Sequence, residues 1–251
     1  MSKDKRVEKV KFKTWRPFGP QIMTGQIPDA IYKEFYGIVE EVLKEKEQTH
    51  NPYLAGRIEE EWTVPQEKLY QTQTEEFLGQ IVTKYAQDVC HRMFADNQMY
   101  SGEFDKHKIQ YDNADFEVHR ISGWVNSMVS GEYNPIHHHP YCNVTSIFFF
   151  TDVNKKFIDE IIAPNNNLDS NDQIRIDESD TDDGSLELTY SSYNYWQTGS
   201  VRIKPKKGLF LLFPADLLHC VYPFKSKSNR ISASFNFIVK SNISGLNFGD
   251  R

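Results

Sequence analysis

The period of the hydrophobic positions changes near residue 115. Before it, apolar residues recur at helical spacing. Ile31, Phe35, Ile38, Val39, Val42 and Leu43 fall on one face of a helix predicted to start after Pro28-Asp29. A second helix is predicted from about Thr72, where Thr72-Gln73-Thr74-Glu75 has the spacing of a capping box. Its face reads Leu78, Ile81, Val82, Tyr85, Val89 and Met93, and both stripes are read as core. Ahead of them, residues 7–13 alternate weakly enough to suggest one strand, ended by the Pro and Gly of 15–20.

Beyond Asp115 the period becomes two. Strands are predicted over 116–129, 144–151, 185–190, 200–204, 208–213, 219–223 and 230–239. The last is the clearest. Ile231, Ala233, Phe235, Phe237 and Val239 share one face, with Ser232, Ser234, Asn236 and Ile238 on the other. Short strands following helices predict a small β-sandwich or barrel braced by an N-terminal helical layer. No internal repeat or linker divides the chain. It is read as a single domain, with 1–114 as helical support and 115–251 as the β core, interrupted by an acidic loop at about 154–187.

Composition narrows the function classes. A chain of 251 residues, 39% hydrophobic and 14% aromatic, can bury a substantial core. No apolar run reaches the ~18–20 residues of a membrane span. The start lacks a signal-peptide apolar stretch, so a cytoplasmic location is expected. Cys90, Cys142 and Cys220 are odd in number and far apart, which fits free thiols in a reducing compartment. The net charge of −6 is uneven: Asp159 to Glu187 holds ten acidic residues against Arg175 alone. That segment is read as a solvated loop that would repel phosphates, and nothing in the sequence points to nucleic acid. Oligomeric state is not legible.

Candidate chemistry starts at GEYNPIHHHP, residues 131–140. On an extended backbone, residues i and i+2 point the same way. Pro135 and Pro140 favour extension at the residues before them. His137 and His139 are therefore expected to converge on one ion while His138 faces away. Two imidazoles make a weak site, and the best third ligand is His219, in the apolar run GLFLLFPADLLHCVYPF. Eleven residues later comes Arg230, with Ser232 on the same strand face. A guanidinium pointing into an apolar barrel needs an anion, and a carboxylate is its best geometric match. Asn126, Tyr133 and Asn134 are polar groups near this cluster. Asn126 and Tyr133 are taken as candidates to orient a cosubstrate, Asn134 as a turn residue.

HxH, a distant His, then RxS resembles the iron(II)/2-oxoglutarate-dependent dioxygenases, which are double-stranded β-helix proteins of the jelly-roll or cupin-like kind. The likeness is greatest to the prolyl-hydroxylase-like oxygenases of phages and marine bacteria. It is carried by WVNSMVSGEYNPIHHHPYCNVTSIFFF, VRIKPKKGLFLLFPADLLHCVYPF and RISASFN, and also by GPQIMTGQIPDAIYKEFYGIVEEVL and NPYLAGRIEEEW. The resemblance implies iron(II) as metal, with His137 and His219 as ligands. It implies 2-oxoglutarate as cosubstrate, with Arg230 and Ser232 on its far carboxylate, and oxygen as co-reactant. It also implies oxidative decarboxylation to succinate and carbon dioxide, with hydroxylation of an unidentified substrate, by family likeness a peptide prolyl group. A phage-encoded member would work in the host cytoplasm. The superfamily's usual second ligand is a carboxylate; here His139 holds that place, leaving a site of three neutral imidazoles. Glu132, Asp152 and Asp216 are the carboxylates that could complete it.

Two alternatives stand beside this. Gly131 and His137-x-His139 fit the start of a cupin motif, although its Glu and its second motif are missing, so a three-His dioxygenase that does not use 2-oxoglutarate is one. A non-enzymatic metal-binding β-barrel with a binding or structural role is the other.

Overall fold

The computed structural model describes residues 12–15, 19–49, 56–101, 114–152, 183–191, 199–225 and 228–242, with side chains of the last helix described to residue 92. Most of the weakly alternating 7–13 stretch and nearly all of the acidic segment fall outside these ranges.

Two antiparallel sheets face each other. The strands are β1 (Phe12–Trp15), β2 (Ile22–Gln26), β3 (Glu61–Thr63), β4 (Phe116–Met128), β5 (Asn134–His137), β6 (Val144–Phe149), β7 (Leu186–Thr189), β8 (Ser200–Ile203), β9 (Leu209–Pro214), β10 (Leu218–Val221) and β11 (Arg230–Ser241). The larger sheet runs β1-β2-β9-β6-β11-β4-β3, the smaller β5-β10-β7-β8. From β4 onward, successive strands alternate between the two sheets, apart from β7 and β8, which are neighbours in the smaller one; this is the winding of a double-stranded β-helix. Strands β2 and β3, which carry no long alternating run of their own, extend the larger sheet on either side.

Helices α1 (Asp29–Glu45), α2 (Gln66–Leu69) and α3 (Gln73–Ser101) complete the elements. The predicted apolar stripes are the buried ones: Phe35, Ile38, Val39 and Val42 of α1, and Leu78, Ile81, Val82 and Tyr85 of α3. They pack on Val125, Phe148, Phe210 and Phe235 of the larger sheet. Phe35, fully buried, meets the rings of Phe148, Phe150 and Phe235 at centroid distances of 5.1, 5.0 and 5.8 Å. The α3 start is capped as its spacing predicts, Glu75 N donating to Thr72 Oγ1 at 3.1 Å, while the Glu75 carboxylate reaches back to Gln71 N. Glu34 of α1 accepts from Thr74 N and Oγ1, fastening the two helices together. Asp29 makes no cap; Pro28 occupies that position.

A second core fills the space between the sheets, built from Ile147, Phe149, Leu186, Leu188, Leu211 and Phe213 among others. The segment before β3 closes one side of it. Arg57 and Tyr133 exchange backbone hydrogen bonds, Ser127 N donates to Glu60 O, and the buried Glu132 carboxylate accepts from both Glu59 N and Val129 N. Among the described residues, no helix is long and apolar enough to cross a membrane.

Phe35→Ala removes the ring on which three aromatic contacts converge. It is expected to destabilise the fold by about 3–5 kcal/mol, read as a lower urea midpoint at unchanged slope.

Candidate metal centre

His137 and His219 are direct cross-strand partners on β5 and β10. The pairing slips by one residue between this pair and Val221↔Asn134, so β5 bulges around Pro135, which has no N–H to give to a ladder. His139 lies just past the end of β5. Its position comes from its backbone N–H, which donates to Ala215 O at 2.9 Å, and from its ring. Strand periodicity therefore places His137, while a loop contact places His139. The outcome is nevertheless the predicted convergence, with ring centroids 5.3 Å apart for His137–His139, 4.2 Å for His137–His219 and 4.9 Å for His139–His219. His138 is exposed.

The outer nitrogens fix the tautomers. His137 Nδ1 faces Pro135 O at 2.8 Å, His219 Nδ1 faces Leu217 O at 2.8 Å, and His139 Nδ1 faces Asn236 Oδ1 at 2.7 Å. Each partner is an acceptor, so each Nδ1 carries the proton and each Nε2 presents a lone pair inward. His139 Nε2 and His219 Nε2 are only 3.1 Å apart, and one ligand atom from each of the three rings lies within 4.8 Å of the others. Lone pairs gathered this way repel one another unless a cation stands between them, so the donor set fits a divalent metal with oxygen-bearing partners in its remaining positions.

Burial lowers the pKa of both His137 and His219, that of His219 furthest, with the neighbouring histidines adding to the effect on His219. Asn236 Oδ1 also accepts from Thr145 Oγ1 at 2.9 Å, which locks its amide. Trp124 stacks on His139 at 5.4 Å, and the edge of Phe213 meets His219 at 5.1 Å.

No carboxylate joins the cluster among the described residues. Glu132 is committed to backbone N–H groups, Asp152 accepts from Lys207 N at 2.7 Å, and Asp216 is exposed.

The three imidazoles open on a narrow cleft whose wall also includes Arg230, Asn126, Asn134 and Ser234. Arg230 is 1% exposed. Its Nε donates to Gly184 O at 3.0 Å and its Nη1 to Ser232 Oγ at 3.1 Å, with Met128 Sδ nearby, but Nη2 has no partner. The Phe149 ring lies 5.1 Å from the guanidinium carbon. Burial pushes its pKa down to about 9, and no described carboxylate offsets this. A fully buried cation with one unused N–H face is prepared for an anion.

Asn126 stands beside Ser232 across β4 and β11, facing the cleft as expected. Tyr133 does not: it is 42% exposed, outside the cleft wall, and its backbone is engaged by Arg57. Asn134, read as a turn residue, is instead the first residue of β5 and lines the cleft. Asn236 carries no sequence signal of a site role. The alternation of β11 put it on the polar face, but only the three-dimensional pairing brings it to His139.

A family model described as "Putative 2OG-Fe(II) oxygenase" matches residues 122–236, the stretch holding all three histidines, Arg230 and Asn236. No curated protein matches the chain. Among solved structures, the chain is similar to an oxidoreductase of the 2OG-Fe(II) oxygenase family from Burkholderia pseudomallei, at 11% identity and a TM-score of 0.33; the match covers 59% of this chain and 58% of that one. It is similar to a Pseudomonas putida prolyl-4-hydroxylase at 11% identity and a TM-score of 0.43, over 90% and 91% of the two chains. A Trichoplax adhaerens prolyl hydroxylase, solved with a hypoxia inducible factor peptide fragment, matches at 13% identity and a TM-score of 0.45, over 90% and 83%.

Asn236→Ala frees the His139 ring and is expected to weaken metal binding about 10- to 100-fold. His138→Ala should leave it unchanged, as read by anaerobic equilibrium dialysis against iron(II).

Proposed function

We propose that this chain is an iron(II)/2-oxoglutarate oxygenase that holds its metal with His137, His139 and His219 and anchors its cosubstrate on Arg230 and Ser232. It is an oxidoreductase with iron(II) as cofactor, and 2-oxoglutarate and oxygen as cosubstrates. Bound there, iron(II) would let oxygen act as the four-electron oxidant, two electrons coming from 2-oxoglutarate as it is decarboxylated to succinate and carbon dioxide and two from the substrate.

The chain's own residues divide the rest of the work. Three Nε2 lone pairs hold the metal from one side. All three imidazoles are neutral, so the full +2 charge of the ion stays available to the anionic 2-oxoacid end of the cosubstrate. At the far carboxylate, Arg230 Nη2 gains the partner it lacks, and Ser232 Oγ, already aligned by Arg230 Nη1, donates its own hydrogen. Asn126, on the same wall, is read as a third cosubstrate contact. The apolar residues around the cleft keep these charge-assisted bonds away from water, where they are stronger. The observation that carries this reading is the buried, half-unpartnered guanidinium lining the same cleft as three converging histidines.

Hydroxylation is the proposed outcome, and a peptide prolyl group the proposed substrate, on the likeness of the quoted motifs to prolyl-hydroxylase-like oxygenases. We read the chain as one oxygenase domain. Three free cysteines support a reducing, cytoplasmic setting.

Arg230→Ala is expected to raise the 2-oxoglutarate concentration needed for half-maximal succinate release by about 10- to 150-fold, the equivalent of roughly 1.5–3 kcal/mol, with iron affinity preserved. Unchanged cosubstrate dependence would refute the assignment. Oxygen uptake by the wild type without 2-oxoglutarate would favour the three-His cupin-type reading instead.

A further inference from the structure

A second buried polar pair lies against the cleft, and neither the histidine cluster nor Arg230 uses it. Glu61 on β3 and Asn126 on β4 are directly opposed in the larger sheet. Opposed residues of an antiparallel pair project to the same face with Cβ atoms about 4.5–5.5 Å apart. Asn126 forms part of the cleft wall, whereas Glu61 is fully buried beside it on the edge strand. Neither carboxyl oxygen of Glu61 has a hydrogen-bond partner, nor does Asn126 Oδ1. An ionised Glu61 would leave three acceptor oxygens in one dry place with no donor among them, a costly arrangement. One proton resolves it, because a neutral carboxyl has a donor to give.

We propose that Glu61 is a positioning residue, carried as a neutral acid whose O–H donates to Asn126 Oδ1 and so turns the Asn126 amide nitrogen toward the bound cosubstrate. The proposal rests on the reading of Asn126 as a cosubstrate contact. The orientation it imposes suits an anionic ligand, which an amide N–H attracts and an amide oxygen repels.

The surroundings agree. Burial raises the Glu61 pKa to about 8, with no charged neighbour contributing. The titratable groups on the adjoining elements are engaged elsewhere or lie at the surface. Lys46, after α1, pairs with Glu60; Glu45 pairs with Lys68; and Arg57 is exposed. Glu132 is held by Glu59 N and Val129 N, Arg230 of β11 is turned to Gly184 O and Ser232 Oγ, and the three histidines are gathered on one another. Thr49 Oγ1 reaches only the backbone carbonyl of Glu61. For a carboxyl whose folded pKa lies above its unfolded value, the stabilising protonated state is fully present below the unfolded pKa and is lost as pH rises through the folded pKa.

The test compares wild type, Glu61→Gln and Glu61→Leu in anaerobic calorimetric titrations of the iron(II)-loaded proteins with 2-oxoglutarate at pH 7 and pH 9. Infrared spectra of the metal-free wild type and Glu61→Gln are taken alongside. Glu61→Gln keeps a donor for Asn126 Oδ1 and should bind within about twofold of wild type, whereas Glu61→Leu should lose about five- to tenfold with its iron affinity intact. Wild type alone should weaken between pH 7 and pH 9, and its pH 7 spectrum should contain a carboxylic-acid carbonyl band that Glu61→Gln lacks. Absence of that band, or wild-type affinity in Glu61→Leu, overturns the proposal. Should Glu61→Leu not fold, the band and the pH-independence of Glu61→Gln decide. A wild type that binds no 2-oxoglutarate would defeat the cosubstrate reading instead, and the band would still report the state of Glu61.

Discussion

Strand β11 lies between β6 and β4, and its alternation decides which face of the larger sheet is greasy and which is chemical. Ala233, Phe235, Phe237 and Val239 turn outward under the helices, while Arg230, Ser232, Ser234 and Asn236 turn into the space between the sheets. A slip of one residue in this pairing would exchange the two sets completely. Helix packing and site construction are therefore one constraint: burying Phe235 against Phe35 is the same act as presenting Arg230 to the cleft. Gly123 shows how tightly the register is held, since a Cβ there would stand 2.3 Å from the Phe235 ring.

The same strand serves both ends of the site. At one end Asn236 sets the tautomer of His139, and at the other Arg230 waits with an unused N–H face. Between them the chain has placed few compensating charges. The histidines are neutral, Glu132 and Asp152 serve backbone amides, Asp216 faces solvent, and the buried Glu61 is read as a neutral acid. An interior built this way is poorly satisfied by its own residues, which is why it reads as a receptor for a cation and a dianion rather than as a core with polar defects.

The fold was legible in the sequence wherever side-chain period alone determined it. The stripes of α1 and α3 and the strands from β4 onward follow from spacing, because each buries one face. Strands β2 and β3 did not announce themselves, since their five and three residues are defined by pairing with β9 and β4 rather than by a pattern of their own. The histidines and Arg230 were legible because few side chains can do their chemistry. Tyr133 and Asn134 were exchanged, one toward solvent and one into the wall. The bulge at Pro135 shifts the register just there, and a two-residue periodicity carries no information about such a shift. Glu61 was invisible for another reason: a glutamate in the run EEEW reads as surface charge until a partner strand covers it.

The tether made by Glu132 bears on how such a protein can change over time. Its carboxylate joins the segment before β3 to the turn after β4, and that segment supplies Ile58 to the cleft wall. The barrel strands thus do not own their pocket outright; a stretch from the supporting half of the chain walls part of it. Recombination that kept the barrel and exchanged the N-terminal half would inherit the metal ligands and most of the pocket wall, but a different residue at the edge that Ile58 now closes. That one edge is encoded apart from the metal chemistry and can drift while the ligands are held fixed.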